Sequence, residues 1–252
     1  MTHGSLFSGI GGFDLAAQWM GWENVFHVER DPFCRQVLTH HFPESQSFDD
    51  VKTFDATPFR GRLRVLSGGF PCQPFSAAGK RAGTSDDRYL WPEMFRIIRE
   101  ARPTYVVAEN VRGLLSWNEG LVLDTVCADL EGEGYEVCPV VLPAASVNAP
   151  HKRERIWILA SNCDGEMLEH GDRERTPGRS ADAQKRIESL DGPRSWQGFP
   201  TVAPVCGGND GLPKRLDGIT FPKWRRESIK AYGNAIVPQV ALQIFRAIEG
   251  RH

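Results

Sequence analysis

Residues 5–20 read Ser5-Leu6-Phe7-Ser8-Gly9-Ile10-Gly11-Gly12-Phe13-Asp14-Leu15-Ala16-Ala17-Gln18-Trp19-Met20. A short apolar strand enters a glycine-rich turn, and Phe13, Ala16, Ala17 and Met20 then recur on one face at helical spacing. Strand, glycine turn and helix open a nucleotide-type βαβ unit, in which the first amides of the helix face the ligand. The glycines follow GxGG rather than GxGxxG, which favours a small adenosine ligand over a dinucleotide.

The alternation continues along the chain. Val25 to Val28 reads as a second strand ending in Glu29, a carboxylate placed to accept from a ribose diol or simply to face water. Asp31 and Pro32 form an N-cap and first turn for a helix to about His41. Ser47 to Val51 is a third short strand with Asp50 at its end, where an adenine amino group can be bound. Arg64 to Ser67 is a fourth. Leu90-Trp91-Pro92 begins a helix to about Ala101, and Tyr105 to Ala108 is a continuous apolar run, as a buried parallel strand requires. A helix over 118–131 and two closing strands, Glu136 to Leu142 and Ile156 to Ala160, complete the pattern.

Two polar residues stand at strand ends in this scheme. The fourth strand runs into Ser67-Gly68-Gly69-Phe70-Pro71-Cys72-Gln73-Pro74, where two prolines fix the backbone on either side of a thiol. Cys72 is either an aimed nucleophile or a buried structural cysteine. Glu109 follows the buried 105–108 run, and ligands of α/β folds bind at the carboxyl ends of parallel strands, so Glu109 and Cys72 share one crevice. Ser76 to Asp87 is small and polar and reads as a mobile loop, with Lys80, Arg81 and Arg88 available for phosphates. In His151-Lys152-Arg153-Glu154-Arg155, a period of two puts Arg153 and Arg155 on one face, although a solvated charge run has the same spelling.

Composition restricts the rest. The 252 residues carry a net charge of −2, with 13 Lys/Arg against 19 Asp/Glu over 1–150 and 14 against 12 over 151–228, so charge alone does not mark a nucleic-acid binder. Six cysteines without a CxxC pair give no zinc spacing, and no run approaches a membrane span. These features imply a cytoplasmic protein with thiol cysteines, no metal and no membrane contact, and a monomer is expected. Residues 162–228 hold 18 apolar residues in 67 and 15 Gly or Pro, which predicts no element there longer than a turn or two. Order returns at Ser228, with Gly233-Asn234-Ala235-Ile236-Val237-Pro238 before a helix over 239–248.

In order, SLFSGIGG, Glu29, Asp50, GGFPCQPFS, ENV, HKRERI and GNAIVP resemble the blocks of the DNA cytosine-5 methyltransferases. The resemblance covers 1–161 and 228–250. Arg30, His151 and Ala235 depart from the commoner pattern. It implies a Rossmann-like α/β sheet with helices on both faces, as in S-adenosylmethionine-dependent methyltransferases, plus a small irregular target recognition region. The implied organisation is a catalytic and cofactor-binding domain over 1–161, a recognition region over 162–228 and a returning segment over 229–252. Cys72 becomes the nucleophile, Glu109 the acid at the base, and Arg153 and Arg155 the cations that orient it. Phe7, Gly9, Gly11, Glu29, Asp50, Val51, Pro71, Leu90, Asn234 and Ala235 are assigned to S-adenosyl-L-methionine, with S-adenosyl-L-homocysteine as product. The implied substrate is a flipped-out cytosine in double-stranded DNA, as in restriction-modification systems. A tRNA cytosine-5 methyltransferase and a non-catalytic DNA-binding relative share the same blocks.

Overall fold

The computed structural model describes residues 1–71, 89–162 and 221–250. Seven strands form one sheet in the order β3-β2-β1-β4-β5-β7-β6. β1 (Thr2–Leu6), β2 (Glu23–Val28), β3 (Gln46–Phe48), β4 (Val65–Gly68) and β5 (Tyr105–Val111) are parallel. β7 (Glu154–Asn162) runs antiparallel between β5 and β6 (Tyr135–Pro143). The order reverses between β1 and β4, and a crevice opens beyond their carboxyl ends at such a switch point.

Helices cover both faces, as the Rossmann-like expectation requires. α3 (Trp91–Ala101) and α4 (Leu121–Gly132) bury Trp91, Met94, Ile97, Ile98, Val122, Val126 and Leu130 against Leu6, Leu66, Val106 and Ile156. On the opposite face α1 (Gly12–Trp19) and the C-terminal α6 (Pro238–Glu249) enclose Phe13, Ala16, Val65, Val107, Trp157 and Phe245. α2 (Pro32–His41) starts where its sequence signal lies: Asp31 accepts from the amides of Phe33 (2.9 Å) and Cys34 (3.4 Å). Gly4 lets the Phe26 ring lie across β1, since a Cβ there would come within 2.4 Å of the ring.

Four elements differ in extent from their sequence expectations. β1 begins at Thr2, because His3 and Ser5 are fully buried yet bonded to Asn24, Ser67 and Asp14, so polar spelling conceals a core strand. α4 begins at Leu121 rather than 118, because Asn118 and Glu119 take left-handed φ of 48° and 59°. A helix of 14 residues, α5 (Phe221–Asn234), occupies a stretch expected to lack one until 228. Its Pro222, Arg225 and Arg226 dilute the apolar signal there. The third strand also stops at Phe48, leaving Asp50 and Val51 in the turn beyond it.

Candidate active site

The glycine turn is built by backbone demand. Phe7, Gly9 and Gly11 have φ of 52°, 57° and 83°. A Cβ on Gly9 would meet nothing within 4 Å, so this turn keeps an open face, whereas one on Gly11 would strike Phe42 at 2.6 Å. Glu29, just past β2, accepts from Gly9 N (2.7 Å) and Asp31 N (2.7 Å), tying the turn to the start of α2. Each of its oxygens keeps acceptor capacity beyond these bonds. Asp50 accepts from Lys52 N (2.9 Å), and Val51 is buried with its carbonyl held by Arg96 Nη2 (2.6 Å).

Register delivers the second half of the site. Val111 pairs with Arg155 and Glu109 with Trp157, so the amino end of β7 lies at the carboxyl end of β5. Arg155 lies two residues from Trp157 on one face, diagonal to Glu109, and its Nε is 2.9 Å from Glu109 Oε1. Burial pushes the Glu109 carboxyl above the usual carboxylate range, with Arg155 and then Arg153 acting against the rise. A buried carboxyl of this kind can hold a proton that an exposed one releases.

Gly69 explains how the carboxyl reaches the end of β4. A Cβ there would sit 3.2 Å from Glu109 Oε2, so glycine leaves the carboxylate room beside the backbone that leads to Cys72. Asn110, on the other face of β5, donates from Nδ2 to Phe70 O (3.0 Å) and accepts from Val111 N (2.8 Å). Of two adjacent residues of one strand, Asn110 thus bonds the segment at Phe70 and Glu109 lies beside it at Gly69. Pro71 is half-buried. Cys72 and the 76–87 loop with Lys80 and Arg81 lie outside the described residues, as does Arg88.

Arg153 does not share the Arg155 partner. It precedes β7 at φ 33°, and its guanidinium donates to Gly233 O (3.1 Å) and Ala235 O (2.6 Å) at the end of α5. This brings Asn234 and Ala235 to the sheet. Ile236 then packs on Gly12, where a Cβ would come within 2.6 Å of it, directly behind the glycine turn. Lys230 Nζ reaches Asp31 Oδ2 (2.7 Å) from the same helix.

The structure therefore gathers Phe7, Gly9, Gly11 and Glu29 around one turn, which the segment after Asn234 and Ala235 reaches through Ile236, and sets Glu109 with Arg155 at another. Leu90 is half-buried at the start of α3, where its carbonyl accepts from Met94 N (3.1 Å). Sequence reasoning missed Asn110, Lys230 and Arg96 as positioning groups. Asn110 alone carried a signal, an amide inside an apolar strand, whereas Lys230 and Arg96 are spelled like ordinary surface cations. Among the described residues no group of three His, Cys, Asp or Glu is placed to hold a metal, and no helix is long and apolar enough to cross a membrane.

A seven-stranded sheet with helices on both faces and this glycine turn is the Rossmann-like fold of the S-adenosylmethionine-dependent methyltransferases. Within that class the chain belongs to the C-5 cytosine-specific DNA methylases, whose family model matches residues 1–200. Type II methyltransferase M.Eco47II of Escherichia coli is 40% identical over 162 residues, 63% of this chain and 39% of that enzyme. M.HhaI of Haemophilus parahaemolyticus is 35% identical over 161 residues, 63% of this chain and 48% of that one. M.AquIA of Picosynechococcus is 34% identical over 174 residues, 62% of this chain and 70% of that one. The chain spans less than half the length of the first two of these relatives. Among solved structures, a DNA modification methyltransferase encoded within an Escherichia coli prophage superposes with a TM-score of 0.55 at 26% identity, over 64% of this chain and 47% of that one. The S. pombe Dnmt2 methyltransferase shares the fold, with a TM-score of 0.53 at 22% identity over 69% and 57%.

Proposed function

We propose that this chain transfers a methyl group from S-adenosyl-L-methionine to carbon 5 of a flipped-out cytosine in double-stranded DNA, through a covalent adduct of Cys72. The observation that carries the reading is the Glu109–Arg155 pair, whose carboxyl lies beside Gly69, a residue three positions before Cys72 in the chain. A proton-holding carboxyl together with a thiol nucleophile suits the activation of a pyrimidine ring.

The residues around the glycine turn fit the cofactor. It is a cation bearing an adenosine, and the site offers the open backbone of Gly9, the acceptors Glu29 and Asp50, and the apolar Phe7, Val51 and Leu90. Pro71, Gly11, Asn234 and Ala235 close the same space. When bound, the sulfonium supplies an electrophilic methyl group.

The protein's own residues do the rest. Cys72 thiolate adds to carbon 6 of the ring, Glu109 gives its proton to ring nitrogen 3, and the electron pair released into the ring makes carbon 5 nucleophilic. Arg155 holds Glu109 in place and offers its remaining N–H groups to the base. After methylation the carbon 5 proton leaves to a base, the thiolate departs and ring nitrogen 3 returns its proton to Glu109, restoring the aromatic ring. Duplex DNA requires base flipping for this approach. Residues 162–228, with Lys185-Arg186, Lys214-Arg215 and Arg225-Arg226, would form the target recognition region on the phosphates.

Radiolabelled methyl transfer onto duplex DNA, with tRNA as the parallel substrate, tests the reading, and bisulfite sequencing reports the site. Label in DNA as 5-methylcytosine is the expected result. Duplex DNA carrying 5-fluorocytosine should trap the protein, because fluorine at carbon 5 cannot leave as a cation. The Cys72→Ser variant should form no adduct. Label confined to tRNA, or an adduct that survives Cys72→Ser, would overturn the substrate or the nucleophile respectively.

A further inference from the structure

We infer that Arg153 is a positioning residue for the cofactor site, hanging the Gly233–Ile236 wall on the catalytic strand rather than contacting the target base. The inference rests on the proposed methyltransferase reading for the identity of the ligand, but not for the mechanics of the wall.

Two arginines enter the site from the amino end of β7, and their surroundings separate them. Arg155 lies in the strand, diagonal to Glu109, with its Nε 2.9 Å from that carboxylate. Arg153 lies one residue before the strand, at φ 33°, a conformation uncommon for a residue with a Cβ. That turn removes it from the strand's alternation. Both of its bonds end on neutral backbone oxygens, Gly233 O at 3.1 Å and Ala235 O at 2.6 Å. The Gly233 carbonyl lies in the last turn of α5 and carries the negative end of the helix dipole, the Ala235 carbonyl follows just past the helix, and a planar guanidinium suits two carbonyls at once.

The wall it holds continues into the glycine turn. Ala235 leads to Ile236, which fills the space over Gly12 so closely that a Cβ on Gly12 would lie 2.6 Å from it. Gly12 starts α1 immediately after Gly9-Ile10-Gly11. Lys230 anchors the same helix to Asp31 at 2.7 Å, and Asp31 N donates to Glu29 at 2.7 Å. One continuous set of contacts therefore runs from Arg153, beside Glu109, to both sides of the cofactor turn. Removing the guanidinium frees the two carbonyls and loosens Asn234 and Ala235, while Arg155 and Glu109 keep their own bond.

The test compares Arg153→Met, Arg153→Lys and Arg155→Lys in the full chain, with S-adenosyl-L-homocysteine as the binding probe and no DNA present. Arg153→Met should raise the dissociation constant about tenfold, as for a loss near one such pair of hydrogen bonds. Arg153→Lys, which reaches one carbonyl, should fall between, and Arg155→Lys should bind as the parent does. The KM for DNA should stay within about twofold of the parent in Arg153→Lys. Hydrogen exchange of the 231–240 amides, without ligand, should quicken in both Arg153 variants. Unchanged exchange there would overturn the anchoring role whether or not the parent binds the probe, while a parent that binds no probe would overturn only the cofactor assignment. Unchanged probe affinity with a raised KM for DNA would make Arg153 a base or phosphate contact instead. Should Arg153→Met fail to fold, Arg153→Lys alone decides by the same readings.

Discussion

Glu109 gains its character from position: a carboxyl at the end of a buried strand, with glycine on one side and a guanidinium on the other. Burial raises its proton affinity, and Arg155 limits the rise while fixing which way the carboxyl faces. If it gives a proton to the ring, Glu109→Gln should reduce the rate of methyl transfer by about 10²–10⁴-fold, the range of acid–base catalysis. Cofactor affinity should stay as it was, because Glu109 belongs to the β4–β5 end and Glu29 to the β1–β2 end. The parent rate should also decline as pH rises through the raised Glu109 titration, a decline absent from the residual rate of Glu109→Gln. Single-turnover transfer at a series of pH values measures both. A Gln variant within tenfold of the parent would remove the proton-donor role. Glu109 was legible from sequence because a lone acid ends the apolar run Tyr105 to Ala108. Arg153 was legible only as one of two alternating cations, since its carbonyl partners lie 80 and 82 residues away in the chain.

Elements place these residues through the ends they share. β1, β2, β3, β4 and β5 all run in one direction, so Phe7, Glu29, Asp50, Gly69 and Glu109 emerge on one edge. The antiparallel β7 adds Arg155 to that edge only because its amino end faces the carboxyl end of β5. Strand and helix periods with turn residues made most elements readable, including the Asp31-Pro32 start of α2. Two elements escaped for physical reasons: β1 carries buried polar groups bonded to Asn24, Ser67 and Asp14, and the sequence of α5 mixes cations and a proline among its apolar residues. Pairing order is a tertiary property, and no local period spells it. The contact between β5 and the segment after β4 offers a test at this scale. Asn110→Ala removes the 3.0 Å bond to Phe70 O and leaves a carbonyl of a buried residue without that partner. The variant should lose about 1–3 kcal/mol of stability, the cost of an orphaned buried acceptor. Its methyl transfer should fall more steeply than its cofactor affinity, since the bond holds the approach to Cys72. Urea titration and cofactor binding on one preparation decide it, and an unaltered transfer rate would show that Phe70 needs no tether.

Over the whole molecule, the chain's two ends close on one another across the sheet. Phe245 of α6 is fully buried, with ring centroids 4.7 Å from Trp22, 5.6 Å from His3 and 6.4 Å from Phe13. Phe245→Ala should cost about 3–5 kcal/mol, a large part of the roughly 5–15 kcal/mol typical of a domain, and thermal melting would show it. Beside this aromatic layer lie buried polar groups that contribute to the pH response of the fold. Asp14 is fully buried, and burial raises its carboxyl from 3.8 to about 7 while the Ser5 hydroxyl at 2.8 Å pulls it back. Burial lowers His3 and His27 from 6.5 to about 4. Between pH 4 and 6.5 the folded chain keeps one proton on Asp14 that the unfolded chain has released, so this term weakens the fold as pH rises. The two histidines act in the opposite sense, because the unfolded chain protonates them below 6.5 and the folded chain does not until about 4. For these three groups, stability should therefore rise from pH 4 to 6.5 with a net slope of about one proton, ~1.4 kcal/mol per unit. Asp14→Asn removes the opposing term and keeps a partner for Ser5. The variant should gain on the parent by about 1.4 kcal/mol per pH unit from pH 4 to 7, and hold that lead above. Urea midpoints of both proteins across pH 4–8 measure the difference, which cancels every other titration. A lead that stays constant over that range would mean that Asp14 is ionised within the fold.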